Sequence, residues 1–160
     1  MSQPVNIYEG AIDKGLEGVV ACSTAISSII DATLCFRGYT IEDLAANSNF
    51  EETSYLLWNN KLPTASELAA FRAEIKKEMT LPAPLVEQLK KLPTNVHPMA
   101  WLRTATSMLA LWDPEAQDMS EEANRRKSLR LTAKMGLLVA LFSRTRDGKE
   151  FLAPNPDKGI

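Results

Sequence analysis

Pro93-Thr94-Asn95-Val96-His97-Pro98-Met99-Ala100-Trp101-Leu102-Arg103-Thr104-Ala105-Thr106-Ser107-Met108-Leu109-Ala110-Leu111-Trp112 is the stretch whose reading decides the fold. Pro98 suits a first helical position, where its missing N–H is not needed and its fixed φ is already helical. The run stops at Asp113-Pro114, because a residue before proline is pushed out of the α region. Between these stops Leu102, Ala105, Leu109 and Trp112 form one stripe at three/four spacing, and Trp101, Met108 and Leu111 form a second on a neighbouring face. A helix apolar over most of its circumference is a buried one. Its small residues (Ala100, Thr104, Ala105, Ser107, Ala110) let another helix come close. The prediction is a core helix with one partner inside the chain and a second from elsewhere, such as a copy of itself.

Working outward, the whole chain has 160 residues, 45% of them hydrophobic and 24% charged. That is one domain, or a piece of a larger one, with enough apolar material for a core. A net charge of −2 gives no electrostatic reason to expect nucleic acid or an anionic membrane as partner. No apolar run approaches the roughly 20 residues of a membrane helix; the longest candidate, Met135 to Phe142, is interrupted by Gly136. Met1 to Gly10 has neither the basic start nor the apolar centre of a secretion signal, so the expected location is cytoplasmic. Cys22 and Cys35 sit in no metal-binding spacing and are expected to be reduced.

Upstream, Lys14 to Arg37 carries Val19, Val20, Ile26, Ile29, Ile30, Leu34 and Phe36 among Ser and Thr, the composition of short strands. With Asp31-Ala32 as the two turn residues, Ile30 faces Thr33 and Ser28 faces Cys35, which leaves Cys22 far from Cys35. After Tyr39 the pattern reads as helical. Thr40 caps a helix through Asn47, Asn49 opens the next, and Thr64 with Glu67 makes a capping box before Leu68, Phe71, Ile75 and Met79. Pro82 and Pro84 precede a short helix carrying Leu85, Leu89 and Leu92. Ser120 opens the longest run, to about Arg146, with Leu131, Met135, Leu138, Val139 and Phe142 on its expected buried face. Glu121 and Glu122 stand four residues before Arg125 and Arg126, the favourable orientation for ion pairs along a helix.

The chemical inventory is thin. His97 is the only histidine, so neither a two-histidine acid/base pair nor a histidine-rich metal site can be assembled. Its place just before Pro98 favours bonding to the helix end over catalysis. There is no GxSxG, P-loop or GxGxxG, and Lys14-Gly15-Leu16-Glu17-Gly18 reads as a tight turn. Arg125-Arg126-Lys127 reads as a solvated face. The residues alone therefore predict a mainly α chain with a short β-hairpin near its N-terminus, and no catalytic, cofactor-binding or metal residues.

Four segments add a resemblance. Lys14 to Val20 with Thr24 to Ser27, Leu34 to Leu44 (LCFRGYTIEDL), Phe50 to Pro63 (FEETSYLLWNNKLP), and His97-Pro98-Met99 with Leu102-Arg103-Thr104-Ala105 resemble citrate synthases in the order that family has them. The likeness is to the shorter bacterial and archaeal form, which includes 2-methylcitrate synthases. Ala32 stands where the family commonly has glycine, and Phe36 where it usually has tyrosine. The resemblance implies that residues 1–160 are the amino-terminal part of the family's large helical domain, without the small domain and the carboxy-terminal part. It further implies acetyl-CoA and oxaloacetate as substrates of the whole enzyme, and a homodimer with Met99, Trp101, Leu102, Ala105, Met108 and Leu109 as interface candidates. The family's two catalytic histidines and its aspartate are expected beyond residue 160, so the piece alone is expected to be inactive. The other reading is a non-catalytic helical interaction module derived from this fold; the loop-like ending at 153–160 favours the truncated enzyme.

Overall fold

A computed structural model describes Val20, residues 22–155, and residues 159 and 160. The turn expected at Lys14 to Gly18 lies outside them. A three-stranded antiparallel sheet comes first, in the order β1 (Ser27–Ile30), β2 (Thr33–Phe36), β3 (Tyr39–Thr40). The register pairs Ser28 with Cys35 and Ile30 with Thr33, as the turn at Asp31-Ala32 requires. Both turn residues are left-handed, at φ 49 and 66, the conformation of a two-residue hairpin turn that follows the twist of its strands. Cys35 is buried, Cys22 is exposed, and both are free.

β3 corrects the expectation that only helices follow Tyr39. Arg37 and Gly38, at φ 49 and 87, make a second tight turn, and Tyr39 and Thr40 pair back onto Phe36 and Cys35. Arg37 also fastens the sheet to the helices. Its guanidinium donates to the Leu57 carbonyl (2.9 and 3.3 Å) and to the Ala25 carbonyl (3.2 Å).

Six helices then follow among the described residues: α1 (Ile41–Asn47), α2 (Phe50–Asn59), α3 (Ala65–Glu78), α4 (Ala83–Leu89), α5 (Pro98–Leu109) and α6 (Glu121–Arg146). Their starts are local chemistry. Thr40 and Ser120 each accept one backbone N–H, while Asn49/Glu52 and Thr64/Glu67 form complete capping boxes. α5 closes with a 3₁₀ turn at Ala110–Trp112, stopping before Pro114 as expected.

The core has two parts. Leu85 and Leu89 of α4, Trp101, Ala105 and Leu109 of α5, and Leu138, Leu141 and Phe142 of α6 form the larger. Phe71 and Ile75 of α3 with Ala133 of α6 form the smaller; there Tyr55 and Trp58 meet the Phe71 ring edge-on at 5.5 and 5.6 Å. α6 thus packs against α3 on one side and α5 on the other.

Three expectations about helix faces are corrected. Leu131 and Val139 are exposed, and the buried positions of α6 are Ala123, Ala133, Leu137, Leu138, Leu141 and Phe142. A helix with partners on two sides buries positions that no single stripe contains. On α5, Trp101 shares its buried face with Ala105 and Leu109 at successive four-residue steps, whereas Leu111 is 74% exposed. Among the described residues α5 is therefore covered along one face, and not over most of its circumference. Finally, the hydrogen bonds of Arg125 and Arg126 leave their own helix: Arg125 donates to Asn59 Oδ1 (2.8 Å) and Arg126 to Glu115.

Candidate functional site

The residues singled out for function gather on α5. His97 is its N-cap: Nδ1 accepts the Met99 N–H at 3.2 Å, and Pro98 occupies the first turn, where no N–H is needed. The histidine thus spends one ring nitrogen on the helix end, as its position predicts.

The six interface candidates divide between two directions. Trp101, Ala105 and Leu109 are buried against α4 and α6, Leu102 and Met108 are half-buried, and Met99 is 62% exposed. The Trp101 ring lies 5.1 Å from that of Phe142. Its indole N–H meets no acceptor among the described residues. That costs about 1–3 kcal/mol, less than the roughly 4–6 kcal/mol that a buried ring of this size contributes. The outer face of α5 carries Met99, Ala100, Arg103, Thr104, Ser107, Ala110 and Leu111, all exposed. Apart from Arg103 the middle of this face is small and nearly flat, with a large apolar side chain at each end. Beside it, α5 and α6 flank a groove of about 470 Å³ lined by Arg103, Ser107, Ala110, Lys127 and Leu131 among others.

The α5–α6 connection is pinned by charge. Arg130 donates to both oxygens of Asp113 (2.9 and 3.0 Å) and lies 2.8 Å from Glu115, while Arg126 grips the Glu115 carboxylate from the other side. Hydrogen bonds from Arg126 and then Arg130 hold the Glu115 pKa down at about 2. These acids were not singled out in the sequence, because eleven and seventeen residues separate them from their partners. Glu51 was also missed as a feature of its own. It is the buried charged residue among those described, and its hydrogen-bond donor lies 109 positions away.

Among the described residues no three His, Cys, Asp or Glu side chains converge as a metal site. No described helix is long and apolar enough to cross a membrane. The arrangement offers a shaped helical surface and a charge-pinned hairpin of helices.

Known proteins share this architecture. A family model described as citrate synthase, C-terminal domain, matches residues 15–160. Citrate synthase 2 of Bacillus subtilis is 51% identical over 148 residues, which is 92% of this chain and 40% of that protein. The 2-methylcitrate synthase of Mycobacterium tuberculosis is 41% identical over 161 residues, 99% of this chain and 40% of its own length. The crystal structure of citrate synthase from Pyrobaculum aerophilum superposes with a TM-score of 0.83 at 34% identity, over 92% of this chain and 40% of that one. The chain therefore spans about two fifths of the length of these relatives.

Proposed function

Because the chain belongs to the citrate synthase family, we propose that it is the amino-terminal part of a citrate synthase, the acyltransferase that condenses acetyl-CoA with oxaloacetate to citrate and CoA. The observation that carries this reading is the 51% identity to the Bacillus subtilis enzyme. The matched model's description names a C-terminal domain, whereas the amino-terminal placement rests on the order of the four sequence segments.

The reaction needs a base for the thioester methyl proton, a donor for the resulting enolate oxygen, and a donor polarising the ketone. The chain's one histidine is engaged at a helix end. On this reading the reacting groups belong to the portion of the enzyme that residues 1–160 do not span, and this piece supplies scaffold and contact surface. The outer face of α5, with Met99, Ala100, Thr104, Ser107 and Leu111, meets its copy in a cytoplasmic homodimer; small residues at its centre suit a close antiparallel crossing. The product enters the tricarboxylic acid cycle. A second reading, a 2-methylcitrate synthase using propionyl-CoA, draws on the 41% identity to the mycobacterial enzyme over nearly the whole chain.

The test is a chimera in which this chain replaces the matching 40% of the Bacillus subtilis enzyme. It should release CoA from acetyl-CoA and oxaloacetate at about 1 per second or faster, while the chain alone releases none above background. A preference for propionyl-CoA that the Bacillus subtilis parent lacks supports the second reading. A chimera that folds and assembles as its parent does, yet turns over neither thioester, overturns both.

A further inference from the structure

We propose that Glu51 is a latch for the main chain at Gly159 and Ile160. Glu51 lies in the first turn of α2, where a carboxylate faces the positive end of the helix. It is only 6% exposed, although no neighbour in sequence accounts for burying a charge there. Among the described residues, two groups from other elements reach it. The Ile160 backbone N–H donates to Oε1 at 3.1 Å, and the Arg72 guanidinium of α3 stands 4.0 Å from Oε2, at the outer limit of an ion pair. Arg72 is itself half exposed, so the Ile160 amide is the close partner of the buried oxygen.

Gly159 supports the same assignment independently. Its φ is +56, and a Cβ at this position would fall inside van der Waals contact of Glu51 Oε1. The backbone angle at Gly159 therefore favours glycine, and an added Cβ would in addition push the end of the Glu51 side chain off the Ile160 amide. Gly148 differs. Its φ is +65, but an added Cβ there meets nothing, so its requirement is for angle alone.

Burial and docking are reciprocal here. A carboxylate withdrawn from water is costly unless it is hydrogen-bonded, and the Ile160 amide supplies that bond only while the segment is seated. Release of the segment removes the hydrogen bond and returns Glu51 towards water in one step. The latch ties Gly159 and Ile160 to the start of α2, a helix that the Arg37 guanidinium in turn joins to the sheet at the Leu57 carbonyl.

The experiment follows amide hydrogen exchange of Ile160 by NMR in the full chain, with the urea midpoint measured alongside. A hydrogen bond to a charged acceptor is worth about tenfold or more in an opening equilibrium. Glu51→Ala should therefore speed Ile160 exchange by about that factor, whereas Glu51→Gln, which keeps an Oε1 acceptor, should retain most of the protection. Gly159→Ala should release Ile160 as Glu51→Ala does, and Gly148→Ala should leave it protected. Because Gly159→Ala touches no core residue, it decides the matter even if Glu51→Ala fails to fold. Equal Ile160 exchange in the unmutated chain and in Gly159→Ala overturns the latch.

Discussion

Ala32→Gly should stabilise the chain, and the expected size follows from its turn geometry. Ala32 is exposed at φ 66, so deleting its methyl group removes no packing. An L-residue other than glycine in the left-handed region costs about 1–2 kcal/mol. Against this, glycine makes the unfolded chain more flexible, which costs about 0.4–1 kcal/mol. The difference is a gain of about 0.5–1 kcal/mol. The hairpin's loss is felt globally, because Arg37 ties it to the α2 carbonyl at Leu57. In a chain of this length each kcal/mol shifts Tm by about 2–4 °C, so a rise of about 1–4 °C is expected. Thermal unfolding by circular dichroism and equilibrium urea denaturation measure it. Ala32→Val is the opposing control, since a β-branched side chain is worse still at positive φ. An unchanged or lowered Tm in Ala32→Gly, together with a tolerated valine, refutes the strain argument.

Two other perturbations separate the faces of α6 and the charges at its start. Leu138→Ala should cost about 3–5 kcal/mol in urea unfolding because Leu138 is fully buried in the larger core; Leu131→Ala, at 41% exposure, should cost less than about 1 kcal/mol. Glu115 titrates at about 2 in the folded protein against an ordinary 4.5, so its contribution to stability is present above that ordinary value. It is lost as pH falls from there through about 2, and Glu115→Gln should flatten the fall of Tm with acid over this window, as should Glu67→Gln at the second carboxylate held near 2.

What was legible in the sequence is what depends on near neighbours. Asp31-Ala32 set the register of β1 and β2, and Thr40, Asn49, Thr64 and Ser120 marked helix starts, because cap and capped N–H lie within three residues of one another. His97 was placed correctly for the same reason. Which face of a helix is buried depends instead on where its partners stand. Leu131 and Val139 fit a helical stripe with Leu138 and were assigned with it, but α3 and α5 cover other directions and leave both exposed. Spacing alone groups Trp101 with Leu111, and the position of Phe142 shows that it belongs with Ala105 and Leu109. The site was less legible than the fold. Glu51 and Asp113 look like ordinary helix-end acids until the distant groups that hold them are brought near.

Both parts of the core are closed by α6, the last helix among the described residues, through Ala133 in one and Leu138, Leu141 and Phe142 in the other. On the ribosome this sets an order of events. When residues up to Ser120 have emerged, Phe71, Ile75, Leu85 and Leu89 are already outside the exit tunnel, but the α6 surface that covers them is still inside it. At about 5–20 residues per second, the 26 residues of α6 take roughly one to five seconds to appear. Throughout that interval the nascent chain presents two greasy seams to solvent. Chaperone capture should therefore peak on stalled chains in which Ala133 is still inside the tunnel, and fall once Phe142 has cleared it.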